Sequence, residues 1–357
     1  MERIALFLPN WIGDVVMATP AIRAVRDAFP AAKLVAVCKP YVADVLAGSP
    51  WFTETLLADK RGPRNRRAFA VAHQLRDRRI DTAVLFPNSF RTALVAYLGG
   101  AKRIIGFARY GRSWMLTDVL HQHKDNRGQF IPSPIIDDYN RLAMRLGTAD
   151  PGYRMELFTT PVDEANVDQV WRRFALHRYS TIVALNPGAA FGAAKHWGDD
   201  HFAYLARLLT TRLACGVLIV CGPTEREMAR RIAEESRSPH VFPLSDSPLS
   251  LGLTKAIVKR TDLLVTTDSG PRHFAASFNR PVVSLFGPTH IEWTQTYFAK
   301  EIYLQKKLPC GPCQQRVCPL SHHRCMRELT PATVFTAAAE LLARFPLSLR
   351  TEGSRAA

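Results

Sequence analysis

The sequence lacks three patterns that would each define a class of protein. No apolar run among its 357 residues approaches the roughly 20 that a membrane-spanning helix requires. No G-x-G-x-x-G follows the first predicted strand, which argues against a dinucleotide-dependent oxidoreductase, and no Gly-Lys-Ser/Thr marks a Walker loop. The N-terminus leads from Met-Glu-Arg directly into an apolar strand without a signal-peptide pattern, so we expect a cytoplasmic protein.

Acidic residues are scarce relative to basic ones. Lys and Arg number 47 and Asp and Glu 31, which gives a formal net charge of +16. A surplus of this size favours an anionic partner, namely nucleic acid, a membrane surface or a phosphorylated substrate, over a merely soluble basic surface. Nucleic acid is disfavoured because aromatic and basic residues do not alternate and no recognisable nucleic-acid-binding module is present.

Predicted strands and helices alternate through both halves of the chain, a pattern typical of parallel βαβ units with right-handed crossovers. Residues 108–129 have poor periodicity and are expected to form a loop or hairpin. The strands that bear on function are expected at residues 4–8, 81–86, 181–185, 216–221, 262–266 and 282–286.

We therefore predict an α/β protein with two facing, Rossmann-like, doubly wound parallel-sheet domains, as the length of 357 residues suggests. The turn chemistry of residues 148–153 places the linker there, which gives a first domain over residues 1–150 and a second over residues 151–330. A C-terminal helix is expected over residues 331–346 and a disordered polar tail over residues 347–357. A cleft between two such domains suits a reaction of two substrates.

The stretch from Leu8 to Val16 joins the first predicted strand to the first predicted helix. It places Asp14 at the carboxyl edge of a sheet, where ligands bind in open α/β folds. The positive end of the helix dipole favours the charged form of a carboxylate at this position. Two interpretations follow from the spacing: Asp14 caps its helix, or it is a general base.

The segment Val265 to His273 has the strongest ligand-binding pattern of the second predicted domain. A strand leads into the turn Asp268-Ser269-Gly270, and Pro271 is a favoured first residue of a helix. This layout suits a diphosphate held at the helix N-terminus, with a further hydrogen bond from His273. A capped turn with a core histidine is the alternative.

Two other turns of that domain carry candidate residues. The loop within residues 186–197 is built from small residues and contains one lysine, Lys195, which suits a phosphate or a leaving group. Glu225 follows another strand, where it either hydrogen-bonds a ribose or sugar hydroxyl or stabilises the helix that it begins.

Basic residues of the first predicted domain lie in loops, where arginine forks suit the phosphates of an anionic acceptor. They are Lys60, Arg61, Arg64, Arg66, Arg67, Arg91, Lys102, Arg103, Arg109 and Arg112.

The seven cysteines fall into two groups. Three adjoin apolar strands and are expected to be small core residues. The other four are spaced like ligands of a tetrahedral structural zinc ion, although the second C-x-x-C pair is absent, so reduced thiols without metal are the alternative. The core group is Cys38, Cys215 and Cys221, and the zinc candidates are Cys310, Cys313, Cys318 and Cys325, with His322 and His323 between them.

Five segments occur in one order along the chain: Asn10 to Asp14, Phe86 to Arg91, Pro187-Gly188 with Lys195-His196-Trp197, Asp268 to His273, and Phe286 to Thr289. Together they resemble the type-II ADP-heptose:lipopolysaccharide heptosyltransferases of glycosyltransferase family nine. The likeness extends over essentially the whole chain as far as the C-terminal helix.

The resemblance implies a GT-B fold and a cofactor-free, metal-independent enzyme. It implies transfer of a heptose from ADP-L-glycero-D-manno-heptose to the heptosyl-Kdo inner core of lipopolysaccharide, with inversion at the sugar. The first domain would bind this anionic acceptor at the cytoplasmic face of the inner membrane, where the enzyme would be peripheral, and the second domain would bind ADP-heptose.

By the same resemblance Asp14 matches the catalytic base. The implied donor-binding residues are Lys195, Glu225, Asp268, Ser269, Gly270 and His273, and the expected acceptor-binding residues are Asn10, Arg61, Arg64, Asn88, Ser89, Arg91 and Arg112. One departure is that Ala190 and Phe191 stand where related type-I enzymes have hydroxyl residues. The alternatives are another sugar-nucleotide enzyme of this fold, such as an epimerase, and a non-enzymatic zinc- or nucleic-acid-binding protein.

Overall fold

A computed structural model describes residues 2–188 and 192–346. The predicted tail at 347–357 and the departure at Ala190 and Phe191 lie outside these residues. The described chain divides into two compact units, one containing residues up to Phe158 with Glu292–Tyr297, and the other containing Thr159–Ile291 and the chain from Phe298 onward. Within the described ranges, no helix has both the length and the apolar character that crossing a membrane requires.

The first unit is a six-stranded parallel sheet with helices between its strands. Its strand order is β3-β2-β1-β4-β5-β6. The strands are β1 Arg3–Phe7, β2 Lys33–Cys38, β3 Glu54–Leu57, β4 Thr82–Leu85, β5 Arg103–Phe107 and β6 Asp118–Leu120, and the helices are α1 Ile12–Met17, α2 Thr19–Ala28, α3 Pro40–Leu46, α4 Ala68–Asp77, α5 Phe90–Leu98 and α6 Ile135–Leu146.

The second unit repeats this architecture, with the strand order β12-β11-β10-β7-β8-β9. Its strands are β7 Ile182–Asn186, β8 Gly216–Ile219, β9 Val241–Pro243, β10 Leu263–Thr267, β11 Val282–Phe286 and β12 Glu301–Gln305, and its helices are α7 Pro161–Arg173, α8 Asp199–Arg212, α9 Arg226–Ser236, α10 Leu251–Arg260, α11 Gly270–Ser277, α12 Arg324–Arg327 and α13 Pro331–Arg344.

The central strands are apolar because helices cover both faces of a parallel sheet. Every residue of β7, β10 and β11 is buried, and β1 is buried from Ile4 onward. Such continuous apolar runs made these strands visible in the sequence, and the prediction of parallel βαβ units is confirmed.

Of the four strands at the sheet edges, the sequence predicted β3, as a short strand at residues 55–57, and missed the other three. The expectation that residues 108–129 form only a loop or hairpin is wrong in part, because Asp118–Leu120 is β6 and pairs in parallel with β5. β9 and β12 were also missed. These edge strands have three to five residues and are partly exposed, so they show neither a long apolar run nor a clear alternation.

The predicted linker region runs along the first unit. Arg23 of α2 donates hydrogen bonds to the carbonyl oxygens of Pro151 (3.3 Å) and Arg154 (2.8 Å) and to the Glu156 carboxylate (2.7 Å). Thr19 accepts a hydrogen bond from the Glu156 N–H (3.0 Å). The structural division therefore falls between Phe158 and Thr159, eight residues beyond the predicted boundary at 150.

Candidate active site

The strand order of the first unit reverses between β1 and β4, which are neighbours in the sheet. Ligands of doubly wound folds bind outside the carboxyl ends of the strands at such a switch point. The segments that leave β1 and β4 here contain five predicted site residues: Asn10 and Asp14 after β1, and Asn88, Ser89 and Arg91 after β4. The fold therefore brings to one sheet edge two segments that are some 75 residues apart.

Asp14 lies in the first turn of α1 and is partly exposed. The N-cap position belongs to Trp11, whose side chain makes no capping hydrogen bond. Asp14 acts electrostatically on the buried Tyr139 of α6: burial, together with the charges of Asp14 and Asp138, raises the pKa of Tyr139 well above its usual value. Asp14 is therefore a partly exposed carboxylate in the helix that follows β1 at the switch point.

A cavity of about 290 Å³ opens at the same edge of this sheet. Its polar lining residues include Asn10, Lys39, Lys60, Arg66, Ser89, Arg91 and Thr92. Asn10, Ser89 and Arg91 were predicted as acceptor contacts, and Lys60 and Arg66 belonged to the wider basic set. Lys39 was missed, because a single lysine after a strand carries no distinctive pattern.

Arg61 and Arg64 were predicted as acceptor contacts but do not line this cavity. Both are exposed on the loop that also carries Lys60 and Arg66. Arg64 begins the short 3₁₀ helix Arg64–Arg66, so its side chain and that of Arg66 leave the loop in different directions. The basic residues of this loop that line the cavity are therefore Lys60 and Arg66, and not the predicted Arg61 and Arg64.

Arg112 is completely buried. Its guanidinium donates to the carbonyl oxygens of Phe107 (2.9 Å), Pro87 (2.6 Å) and Ser89 (3.2 Å) and to the Asn88 side-chain oxygen (2.9 Å). Burial and the charge of Arg109 lower the pKa of Arg112 to about 10. Arg112 and Asn88 therefore hold the turn that follows β4, and neither lines the cavity.

In the second unit the strand order reverses between β10 and β7. Asn186 ends β7 and links the two turns that leave these strands. Its side-chain amide donates to Thr266 Oγ1 (2.9 Å) and to Ser269 Oγ (3.0 Å). The predicted Asp268-Ser269-Gly270 turn therefore lies at this switch point, and Ser269 occupies the N-cap position of α11.

Lys195 and Asp268 form a buried ion pair. Lys195 Nζ donates to Asp268 Oδ2 (2.5 Å) and to its backbone carbonyl (3.0 Å), and Thr289 Oγ1 donates to Asp268 Oδ2 (2.8 Å). Burial would raise the pKa of Asp268, but the charges of Lys195 and Arg272 and these hydrogen bonds outweigh burial and lower it. Two residues that were predicted to bind the sugar donor, Lys195 and Asp268, are therefore paired with each other.

Two buried basic residues in the first turns of α11 stand beside this pair. Arg272 forms an ion pair with Glu301 of β12 (2.5 Å), and its Nη1 is 3.7 Å from Asp268 Oδ1. Burial and the charge of Arg272 lower the pKa of His273 well below its usual range, so the imidazole is neutral. Its buried Nδ1 has no hydrogen-bond partner within residues 2–188 and 192–346.

Glu225 ends the 3₁₀ helix Pro223–Glu225. Its Oε2 accepts a hydrogen bond from the Gly222 N–H (2.7 Å). A Cβ added to Gly188, in the loop after β7, would lie 2.2 Å from Oε1. One carboxylate oxygen therefore stabilises the turn of Glu225 itself, and the other faces the loop that leads toward Lys195.

The four clustered cysteines come together in the second unit. Cys310, Cys313, Cys318 and Cys325 all line one cavity of about 30 Å³. As placed, no group of three or more His, Cys, Asp or Glu side chains among the described residues has an arrangement that could hold a metal ion. The other cysteines, Cys38, Cys215 and Cys221, are buried, as predicted for core residues.

Comparison with known proteins gives a consistent family. The family model described as glycosyltransferase family 9 (heptosyltransferase) matches residues 68–324. The chain is 28% identical to lipooligosaccharide heptosyltransferase 2 of Campylobacter jejuni, over 95% of this chain and 98% of that protein. It is 25% identical to lipopolysaccharide heptosyltransferase 2 of Escherichia coli K12, over 93% of this chain and 96% of that protein.

Among solved structures, the chain is similar to ADP-heptose lipopolysaccharide heptosyltransferase II of Escherichia coli. The TM-score is 0.75 at 23% sequence identity, over 96% of this chain and 99% of that chain. This likeness confirms the predicted fold class, a GT-B protein with two Rossmann-like α/β domains.

Proposed function

The chain belongs to glycosyltransferase family 9, the heptosyltransferases, and from this premise we propose that it transfers a heptose from ADP-L-glycero-D-manno-heptose to the heptosyl-Kdo inner core of lipopolysaccharide, with inversion at the anomeric carbon. It is a glycosyltransferase, and its similarity to the two heptosyltransferases 2 extends over nearly its whole length. The class of reaction thus rests on the family. The proposed donor, acceptor and residue roles rest on the two switch points.

Asp14 is the general base of this proposal. The acceptor hydroxyl loses its proton to the Asp14 carboxylate as its oxygen forms a bond to the anomeric carbon, and the bond from that carbon to the diphosphate oxygen breaks. ADP leaves with the electron pair of the broken bond. General-base assistance of this kind contributes about 10²- to 10⁴-fold to a rate. The first turn of α1 supports the role, since the helix dipole favours the ionised carboxylate that must accept the proton.

The start of α11 and Lys195 are proposed to bind the donor diphosphate. The first N–H groups of a helix have no intrahelical partner, so those at Ser269 and Gly270 suit the negative charge that grows on the leaving ADP. Lys195 Nζ now contacts Asp268, and it would turn to a phosphate while Thr289 and Arg272 keep the Asp268 carboxylate satisfied. The N–H groups at the start of α11 are fixed donors, which stabilise developing charge without reorganisation.

His273 and Glu225 have narrower proposed roles. Neutral His273, with its buried Nδ1, can offer or accept one hydrogen bond beside the diphosphate. Glu225 Oε1, beside Gly188, is proposed to contact a ribose hydroxyl.

The cavity of the first unit is proposed to bind the anionic acceptor. Four basic side chains line it together with Asn10 and Ser89, whose polar groups suit sugar hydroxyls; they are Lys39, Lys60, Arg66 and Arg91. The net charge of +16 supports a peripheral location at the anionic cytoplasmic face of the inner membrane.

The observation that carries the proposal is the position of Asp14 at the β1–β4 switch point, on the sheet edge that also bears the basic cavity. The test is Asp14→Asn, with the exposed Asp27→Asn of α2 as the matched control. We expect transfer by Asp14→Asn to fall about 10²- to 10⁴-fold while ADP affinity, measured by calorimetry, stays at the wild-type value. Near-normal turnover in Asp14→Asn would remove the general base from the proposal.

The reaction itself is tested by incubating the enzyme with ADP-heptose, with and without a defined inner-core acceptor. We expect ADP release and a heptosylated product only when the acceptor is present. Free sugar or an isomerised nucleotide formed without acceptor would identify a hydrolase or an epimerase instead.

The donor site is tested separately by Lys195→Ala. We expect weaker ADP binding, whereas Arg231→Ala, which removes an exposed cation paired with Asp199, should leave it unchanged. Equal ADP affinity in wild type and Lys195→Ala would exclude Lys195 from the donor site.

A further inference from the structure

The segment between β12 and α12, residues 306–323, contains no helix and no strand. Loops longer than about 12–15 residues without secondary structure are uncommon in compact domains. No residue of this segment is buried, and two of its apolar side chains, Val317 and Leu320, are 67% and 57% exposed. Apolar burial therefore does not hold the segment, and its conformation needs another source of stability.

Four thiols converge where this segment meets α12. Cys310, Cys313 and Cys318 come from the segment and Cys325 from α12, a C-x₂-C-x₄-C-x₆-C spacing. All four line a cavity of about 30 Å³ whose other lining residues include no carboxylate. That volume is about the room that one or two water molecules need, so it suits a single ion.

One histidine, His322, lines the cavity together with the four cysteines. His322 Nδ1 accepts a hydrogen bond from the Arg324 N–H (3.0 Å), which leaves the proton of the neutral ring on Nε2. That Nε2 is 3.9 Å from Cys310 Sγ, so His322 donates toward a sulfur and does not act as a ligand.

We propose that Cys310, Cys313, Cys318 and Cys325 form a mononuclear metal site that holds zinc or a single iron ion in tetrahedral thiolate coordination. Four cysteine ligands around one atom-sized cavity are typical of these two ions. As placed, the four sulfurs surround the cavity without forming a ligand set. Coordination draws each of them to about 2.3 Å from the ion and so orders the segment that no apolar core holds.

The proposed site supports the donor loop of the same unit. The Ala194 N–H donates to the Arg316 carbonyl (3.0 Å), and the Gln314 N–H donates to the Pro288 carbonyl (2.7 Å). Ala194 precedes Lys195, and Pro288 precedes Thr289, so the segment braces the two residues that donate hydrogen bonds to Asp268 Oδ2. Loss of the metal should therefore weaken ADP binding, a consequence that rests on the proposed function.

The metal content of the protein can be measured without any substrate. This test of the metal site is therefore independent of the proposed function. The full chain is produced in medium that supplies zinc and iron and is purified without chelator. Its metal content is then measured by elemental mass spectrometry. We expect about one ion of zinc or iron per chain, and the analysis identifies which. Cys313→Ser and Cys325→Ser should lose it, whereas His322→Ala and the buried control Cys215→Ala should keep it.

A second measurement covers the case in which the cysteine variants do not fold. Cobalt is loaded into the wild-type protein, and four thiolate ligands should give intense charge-transfer absorption that a mercurial reagent abolishes while it releases the ion. A wild-type protein without metal, a disulfide among the four cysteines, or equal metal content in wild type and Cys313→Ser would overturn the proposal. Loss of metal in His322→Ala with retention in a cysteine variant would overturn the four-thiolate ligand set.

Discussion

Asp268→Asn should destabilise the second unit strongly, because it removes the anion that two buried cations share. Lys195 Nζ lies 2.5 Å from Asp268 Oδ2, and Arg272 Nη1 lies 3.7 Å from Oδ1. Asparagine keeps the shape of the side chain but offers one acceptor oxygen in place of two and carries no charge. Lys195 and Thr289 would then compete for that oxygen.

The magnitude follows from the burial of the group. The side chains of Asp268 and Lys195 are 7% and 10% exposed, so solvent screens their interaction only weakly. Removing one partner of a buried ion pair costs about 3–5 kcal/mol, since the other charge is left uncompensated. Glu301 still neutralises Arg272, so most of the loss falls on Lys195. In a unit of this size the melting temperature falls by about 2–4 °C per kcal/mol, which predicts a shift of about 6–20 °C.

The assay is thermal unfolding followed by circular dichroism or calorimetry, with Asp246→Asn as the matched control. Asp246 is exposed and pairs with Arg230 (2.7 Å), so its loss should change stability by no more than about 0.5 kcal/mol. Lys195→Met combined with Asp268→Asn should recover part of the lost stability, because the uncompensated cation is removed as well. Equal melting temperatures for the two asparagine variants would refute the reasoning.

The pH dependence gives the same experiment a second check. The pKa of Asp268 is lower in the folded protein than its ordinary value of 3.8. The ion pair therefore contributes fully above that value, and its contribution is lost as the pH falls through the folded pKa. The gap in melting temperature between wild type and Asp268→Asn should be constant from pH 7 to about pH 5 and should close in stronger acid.

The remaining predictions concern the two sites. Arg112→Leu leaves several buried acceptors without their donor, and we expect a loss of at least about 3 kcal/mol in thermal unfolding of the first unit. Gly188→Ala places a Cβ 2.2 Å from Glu225 Oε1 and so displaces that carboxylate; steady-state kinetics should show a raised KM for ADP-heptose with kcat nearly unchanged. Arg66→Ala should raise the acceptor KM several-fold and Arg64→Ala should not, because only Arg66 lines the cavity; equal effects would contradict that assignment.

The strand-to-helix turns could be predicted from the sequence because each follows a continuous apolar run. β1 and β10 are buried almost throughout, so the sequence predicts where each strand ends. It therefore also predicts the positions of Asp14 and of the Asp268-Ser269-Gly270 turn. The strand order places both turns at switch points, and this position supports the roles proposed for them. Local spacing does not contain that information, since β1 and β4 become neighbours through a crossover of more than 70 residues.

Side-chain pairings across long sequence separations could not be predicted. Lys195 and Asp268 were each assigned to a phosphate site, yet their contact joins residues 73 positions apart. Arg112 was placed among the surface arginines, because an arginine in a loop is usually solvated. Only the fold shows that the carbonyl groups of the turn after β4 converge on its guanidinium.

Only the folded structure shows where the positive charge of the chain is concentrated. A net charge of +16 indicates an anionic partner but does not say which of two anionic substrates it serves. In the second unit the buried cations Lys195 and Arg272 are matched by Asp268 and Glu301, so this cluster is neutral as a whole. In the proposed donor site, recognition of the diphosphate would therefore depend on oriented N–H groups and on exchange of a lysine contact. The cavity of the first unit is lined by four basic residues and no carboxylate, so it would add long-range attraction for the proposed anionic acceptor.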